Sequence, residues 1–308
     1  MDRLHMSIHT LFTESAISAL FNHQIFTAKD FILSDSQKLS KISLLNFREI
    51  LEIKRQLVKT YAAVSENAFN SYQHLLQHSA ILPSGIERID NFLGGGLFTG
   101  NIYEICGKAC SGKSLLAYVF MKNVIMEMKQ NCLLLDSKND FDSHKFSFLC
   151  TEYSKVDINC GLSKILIKHV NTKYDLLNSL QEIAEKEHTN FSLKMIILDS
   201  LSSIMLNTST HSENNLILSH IANLMHYISY KYHIVFLMTN LVITWIEGDF
   251  KAQSGTKNTI SCGRLWYTIP NTRLKLENNS SILKITVEKS NMLPLTSVSV
   301  PLKELITE

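Results

Sequence analysis

The sequence predicts an α/β protein in which a mostly parallel sheet, covered by helices on both faces, is preceded by a small all-α unit. Three observations carry this. From residue 102 onward, apolar β-prone runs alternate with helix-prone runs, the pattern of parallel strands joined by helical crossovers. Glycine is absent from residues 1–84, whereas seven of the eleven glycines lie between Gly85 and Gly112. An eight-residue glycine-containing loop stands between one of the apolar runs and one of the helical ones. These divide the chain into a helical N-terminal domain at 1–61, a linker at 62–84 and an α/β core at 85–308.

In the first part, Ile17, Leu20 and Phe21 mark one helix. Phe47, Ile50, Leu51, Leu57, Val58 and Tyr61 mark a clearer one, with apolar positions three and four apart and Lys54 as the interruption. Residues 1–84 carry eight Lys/Arg against seven Asp/Glu, so no basic face stands out, and a docking role suits this unit better than DNA binding. The linker contains a short helix and closes at Pro83. Ile86, Ile89, Phe92 and Leu93 then form one short amphipathic helix, ended by three consecutive glycines.

The next stretch organises the rest. Ile102, Tyr103, Ile105 and Cys106 read as a strand, Leu115 to Met121 read as a helix, and G-K-A-C-S-G-K-S at Gly107–Ser114 joins them. That is the strand, loop and helix context of a phosphate-binding loop, G-x-x-x-x-G-K-[ST]. Gly107 and Gly112 allow the backbone amides of Lys108, Ala109, Cys110 and Ser111 to turn toward phosphate oxygens, and the following helix presents its positive end. Lys113 is expected on the β- and γ-phosphates and the Ser114 hydroxyl on Mg²⁺, which makes ATP and Mg²⁺ the expected cofactors.

Beyond the loop, strands are expected at Cys132–Asp136, Ile165–Val170, Met195–Asp199 and His233–Thr239, with helices near 142–153, 174–187 and 214–231. The strand M-I-I-L-D puts Asp199 at its C-terminal end, where open parallel sheets bind ligands, and gives it the role of holding the Mg²⁺ hydration shell. Arg273–Glu277, Ile282–Glu288 and Ser297–Leu302 read as short strands of an antiparallel extension.

Bulk properties exclude several classes. A chain of 308 residues with 45% hydrophobic and 19% charged residues can bury a full core, and a net charge of +2 advertises no broad nucleic-acid field. Six scattered cysteines form no C-x-x-C pair, which suits reduced thiols better than disulfides or zinc ligands. The start has no long apolar core, and the run Ile234–Ile246 is interrupted and too short to span a bilayer, so a soluble protein with no membrane partner is expected.

The segment S-G-I-E-R-I-D-N-F-L-G-G-G-L-F-T-G-N-I-Y-E-I-C, with its phosphate loop, resembles the entry to the core of eukaryotic RecA-type recombinases and their paralogues. S-A-I-L-P-S-G at 79–85, L-L-L-D-S at 133–137, M-T-N at 238–240, G-R-L-W-Y-T-I-P-N-T-R at 263–273 and F-T-E-S-A-I-S-A-L-F-N-H-Q-I at 12–25 extend the resemblance over nearly the whole chain. It implies a RecA-like P-loop ATPase core, ATP binding and a nuclear location. It further implies assembly with sister paralogues and a role in homologous recombination and double-strand break repair, in mitotic or meiotic cells, acting on recombinase filaments and single-stranded DNA.

The departures from that family are informative. A glutamate that polarises the attacking water is expected two residues after Asp136, and Lys138 stands there; a cation cannot accept the water's proton. Asp140 or Asp142 would substitute only if the loop folded back. The glutamine expected after Thr239 and Asn240, which senses the γ-phosphate, is Leu241. Both changes imply retained nucleotide and at most slow, DNA-dependent hydrolysis.

The family's two DNA loops map to Asn207–Asn215, which lacks Lys and Arg, and to Glu247–Ser261. In the second, Lys251 and Lys257 are offset by Glu247 and Asp249, with Phe250, Trp245, Arg264 and Trp266 nearby. This is a sparse version of the cation-and-aromatic recipe for single strands, so weak, salt-sensitive DNA binding through Lys251, Lys257 and Arg264 is expected. Lys289 falls where family members contact the ATP of the neighbouring subunit. Cys106 and Cys110 flank the phosphate loop, where a helix N-terminus lowers a thiol's pKa and favours oxidation.

Two functions compete: an ATP-binding mediator within a hetero-oligomer of paralogues, and a DNA-stimulated ATPase acting directly on single strands. A nucleotide or small-molecule kinase would carry an arginine-rich lid, and residues 200–230 contain no arginine.

Overall fold

The computed structural model describes residues 3–62, 65–185, 193–205, 211–246 and 256–307. The chain forms two compact units, Met1–His74 and Leu75–Glu308. The division falls inside the stretch expected as a linker, which contains a helix and a short strand.

The first unit contains α1 (Glu14–Asn22), α2 (Ala28–Leu33), α3 (Ser36–Ile42) and α4 (Phe47–Tyr61), and α5 (Ala68–His78) crosses its end. Its helices start where side chains satisfy the first free amides. Thr27 with Asp30 caps α2, and Asn46 with Glu49 caps α4, each as a reciprocal pair. Leu20, Phe31, Leu39, Ile50, Ile53 and Leu57 build its core. The buried stripe of α4 is Ile50, Ile53 and Leu57, a rotation from the expected face: Phe47, Leu51 and Val58 are exposed. Counting apolar residues located the helix but not which third of its circumference was covered.

The second unit follows as β1 (Ile81–Leu82), α6 (Glu87–Phe92), β2 (Leu97–Phe98), β3 (Ile102–Gly107), α7 (Lys113–Met126), β4 (Asn131–Asp136), α8 (Ser143–Phe148), α9 (Lys155–Leu162), β5 (Ile165–His169) and α10 (Lys173–Glu185). It continues through β6 (Leu193–Asp199), α11 (Leu201–Met205), α12 (His211–Tyr232), β7 (Val235–Ile246), β8 (Thr256–Ile260), α13 (Gly263–Thr268), β9 (Thr272–Asn279), β10 (Ile282–Ser290), β11 (Ser297–Pro301) and α14 (Leu302–Thr307). The main sheet runs β11-β10-β9-β3-β7-β6-β4-β5, and β8 pairs with the far end of β7.

All neighbours from β9 to β5 are parallel, as the alternating pattern predicts. The C-terminal strands depart from expectation at one place. β9 runs parallel to β3 and only its other edge is antiparallel, to β10, so the extension begins one strand later than its sequence suggests. Two apolar layers flank the sheet: α6, α7 and α14 cover one face, and α10, α11, α12 and α13 the other. Helix α7 is buried on most sides, which explains its apolar character all round. Among the described residues, no helix is long and apolar enough to cross a membrane.

Candidate nucleotide-binding site

Strand β3 is buried throughout and delivers the chain into the loop Gly107–Ser114 at the C-terminal edge of the sheet. Its two neighbours, β7 and β9, flank it to its end and continue beyond, to Ile246 and Asn279: Gly107 stands opposite Leu241 on one side and Leu276 on the other. The loop folds so tightly that a Cβ on Gly107 would lie 2.5 Å from Ser111 Oγ and 2.6 Å from the Leu276 carbonyl. Only glycine fits there. Gly112, at φ 89°, supplies the left-handed turn that starts α7 at Lys113.

The loop walls a cavity of about 520 Å³ that is also lined by Lys138, Ser200, Ser202, Ser203 and Leu241. Ala109, Cys110, Ser111, Gly112, Lys113 and Ser114 all line it, while Lys108 is exposed on the loop's outer turn. The Lys113 ammonium is 3.0 Å from the Gly107 carbonyl and 2.5 Å from that of Lys108, folded onto the loop that would position it on phosphate. Burial lowers its pKa, and the nearby charge of Lys138 lowers it further, against the pull of Asp199.

Asp199 ends β6, and the register places it beside Asp136 at the end of β4. Its Oδ1 accepts from Lys138 Nζ at 2.6 Å and from Thr239 Oγ1 at 2.5 Å. Its Oδ2 is buried with no hydrogen-bond partner among the described residues. A buried carboxylate oxygen in that condition is a costly arrangement unless a donor arrives. Together with the Ser114 hydroxyl on the cavity wall, it fits Mg²⁺: Ser114 Oγ would ligate the ion and Asp199 Oδ2 would accept from its bound water. Bound there, the metal would neutralise phosphate charge.

Asp136 does different work. Its oxygens accept the backbone N–H groups of Lys138 and Asn139, both at 3.0 Å, and of Phe141 at 3.1 Å. This curls the segment after β4 and turns the Lys138 side chain onto Asp199. Ser137 laces the same turn to the segment after β6, accepting from the Ser200 amide at 2.6 Å and bonding the Ser203 hydroxyl. Neither Asp140 nor Asp142 lines the cavity. Asp142 instead caps α8 through the His144 amide, so that substitute for the absent glutamate is occupied elsewhere.

The remaining expected positions scatter. Lys289 places its ammonium 2.6 Å from the Thr268 carbonyl and 2.7 Å from that of Pro270, closing the end of α13 and away from the phosphate loop of its own chain. Cys110 is exposed on the loop. Cys106 is buried, and burial first, then Glu104 and Glu288, push its thiol well above the usual range; a reactive Cys106 is thereby corrected. Trp266 is wholly buried, so it is a core residue and not a stacking ring. Arg264 is exposed on α13, and Lys257 lies in β8 opposite Trp245. Lys251, with residues 247–255, and residues 207–210 of the expected first DNA loop lie outside the described residues.

Sequence reasoning missed a buried polar network behind the loop. Glu104, in the middle of β3, pairs with Arg273 of β9, and both are fully buried. The carboxylate also accepts from Asn240 Nδ2 at 2.7 Å and from the Trp266 indole at 2.8 Å. Arg273 further reaches the Tyr267 carbonyl at 3.2 Å. A charged residue within the apolar run I-Y-E-I-C was the available signal. Thr239, which holds Asp199, was visible only as part of the M-T-N string.

The family model described as "ATPase: KaiC" matches residues 82–244, the part of the chain that contains the cavity. Over 275 residues the chain is 25% identical to the DNA repair protein RAD51 homolog 4 of Mus musculus, covering 86% of this chain and 81% of that protein. It is 22% identical to the probable DNA repair protein RAD51 homolog 4 of Dictyostelium discoideum, covering 90% of each. With the DNA repair protein RAD51 homolog 2 of Homo sapiens the identity is 24%, over 92% of this chain and 84% of that protein.

Proposed function

This chain belongs to the KaiC ATPase family, and from that premise we propose that it is an ATP-binding RecA-type paralogue of DNA repair and homologous recombination. In this reading it works as a mediator inside a hetero-oligomer of related chains, in the nucleus, and touches single-stranded DNA only weakly. Its nucleotide serves to hold an interface and is turned over slowly. The similarity to RAD51 homologues 4 and 2 over most of the chain supports the repair role.

One observation carries the slow turnover. Among the described residues lining the cavity there are two lysines and no carboxylate, so nothing at the wall can take a proton from an attacking water. Ser114, Lys113 and the loop amides are the groups that would hold the triphosphate, and Asp199 the metal's water. Lys289 would act in trans only after leaving the carbonyls of α13, and Lys251, Lys257 and Arg264 would give a weak DNA contact.

The test is a nucleotide titration paired with phosphate release, with and without single-stranded DNA, on wild type and Lys113→Ala. Wild type should bind ATP and release phosphate slowly in both conditions. Lys113→Ala should lose at least about tenfold in affinity, the value of one charge-assisted contact, and should fail to capture its partner chains. DNA-stimulated turnover of about 1–10 per second, ordinary for an ATPase, would favour direct action on single strands instead.

A further inference from the structure

The role left open by the cavity is that of Lys138. Its side chain is one-third exposed, while Asp199, its partner, is 1% exposed, so the ion pair stands with its cationic end toward the cavity and its anionic end buried behind the lining. The root of the side chain is fixed, because the Lys138 amide is tied to Asp136. Asp199 does not depend on the lysine for its orientation, since Thr239 holds the same oxygen from β7. Lys138 also stands close enough to Lys113 that its charge lowers the pKa of Lys113. Two ammonium groups line one cavity in which no described lining residue is a carboxylate, which makes a site whose missing component is a polyanion.

We propose that Lys138 is a built-in counter-ion for the terminal phosphate, moving from Asp199 to the nucleotide, so that ATP is held with little dependence on Mg²⁺. The proposal rests on the nucleotide reading above and deepens it. In a nucleotide site with a carboxylate at the position of Lys138, the metal would carry most of the charge neutralisation, and withdrawing it would leave an acid facing the phosphates. Here the protein supplies a cation in the place of that acid. An ammonium needs no fixed coordination geometry and reaches phosphate as a point charge. When Lys138 leaves, Asp199 keeps Thr239 on the oxygen the two shared, and the lysine and the metal then neutralise the same phosphate charge, so each partly replaces the other.

The experiment measures the affinity of a fluorescent ATP analogue in Mg²⁺ and in EDTA for wild type, Lys138→Met and Lys138→Arg, with thermal melts to verify folding. The wild type should lose less than about tenfold on metal withdrawal, and Lys138→Met should lose at least about tenfold more than that. Lys138→Arg keeps the charge and should retain wild-type behaviour, which separates counter-ion action from a packing role. Equal metal dependence of wild type and Lys138→Met, with tight binding in Mg²⁺, would overturn the inference and leave the nucleotide reading standing. No binding by the wild type even in Mg²⁺ would overturn both.

Discussion

Asp136 and Asp199 lie side by side at the ends of neighbouring parallel strands, and the fold gives the two carboxylates opposite tasks. Asp136 is consumed by three backbone amides of the turn it begins. Asp199 keeps one buried oxygen without a partner among the described residues and shares the other between Lys138 and Thr239. An amide at position 136 would set its NH₂ against one or more of those N–H donors. Asp136→Asn should therefore lower unfolding free energy by about 1–3 kcal/mol in a denaturant titration. Asp199→Asn should instead change chiefly the response of nucleotide affinity to Mg²⁺. If the two variants proved interchangeable in both assays, the division of labour would be wrong.

Placing a carboxylate at the cavity wall should restore what the site lacks. Lys138→Glu is expected to raise phosphate release in Mg²⁺ by about 10²-fold, the low end of general-base contributions. The same change replaces the cation paired with Asp199 by an acid, so without metal the variant should melt at a lower temperature than wild type. Turnover that stays at the wild-type rate would mean that something other than the missing base limits hydrolysis.

The pair Glu104 and Arg273 is fully desolvated, and its energetic role is separable by a double-mutant cycle. Glu104→Leu or Arg273→Met alone leaves a buried charge uncompensated and should cost about 3–5 kcal/mol. Combined, they should cost less than the sum by about 2 kcal/mol or more, because the second change removes the orphan left by the first. Trp266 donates its indole N–H to the same carboxylate, so its emission should shift in Glu104→Leu. Simple additivity in the cycle would show that the two residues contribute independently.

Cysteine chemistry offers a probe that needs no mutation. Cys110 and Cys160 are exposed, whereas Cys106 and Cys132 are buried with thiols held far above their usual range by desolvation. Burial likewise pushes Cys150 up to about 11 and Cys262 to about 12. Near pH 8 the thiolate fraction of these four is negligible, and rises only as pH approaches those values. A thiol reagent should thus label Cys110 and Cys160 first. Cys110 lines the cavity, so ATP should slow its labelling and leave that of Cys160 unchanged. Labelling of Cys110 at one rate with and without nucleotide would place the ligand elsewhere.

Local sequence was sufficient for whatever depends on neighbours along the chain. Gly107–Ser114 announced its loop because a tight turn, a lysine and a hydroxyl must follow one another at fixed spacing, and M-I-I-L-D announced β6 with Asp199 at its end. Alternating runs announced a parallel sheet, since buried strands are apolar on both faces. What needed the folded chain were relationships across strands far apart in sequence: Lys138 on Asp199, Thr239 beneath the same carboxylate, Glu104 against Arg273, and Lys289 on the carbonyls of α13. Lys138 was legible as a missing base, but its ion pair was not, because register between β4 and β6 is set by packing of their two faces and not by either strand alone. A motif specifies which groups are present, whereas strand order and register decide which of them meet.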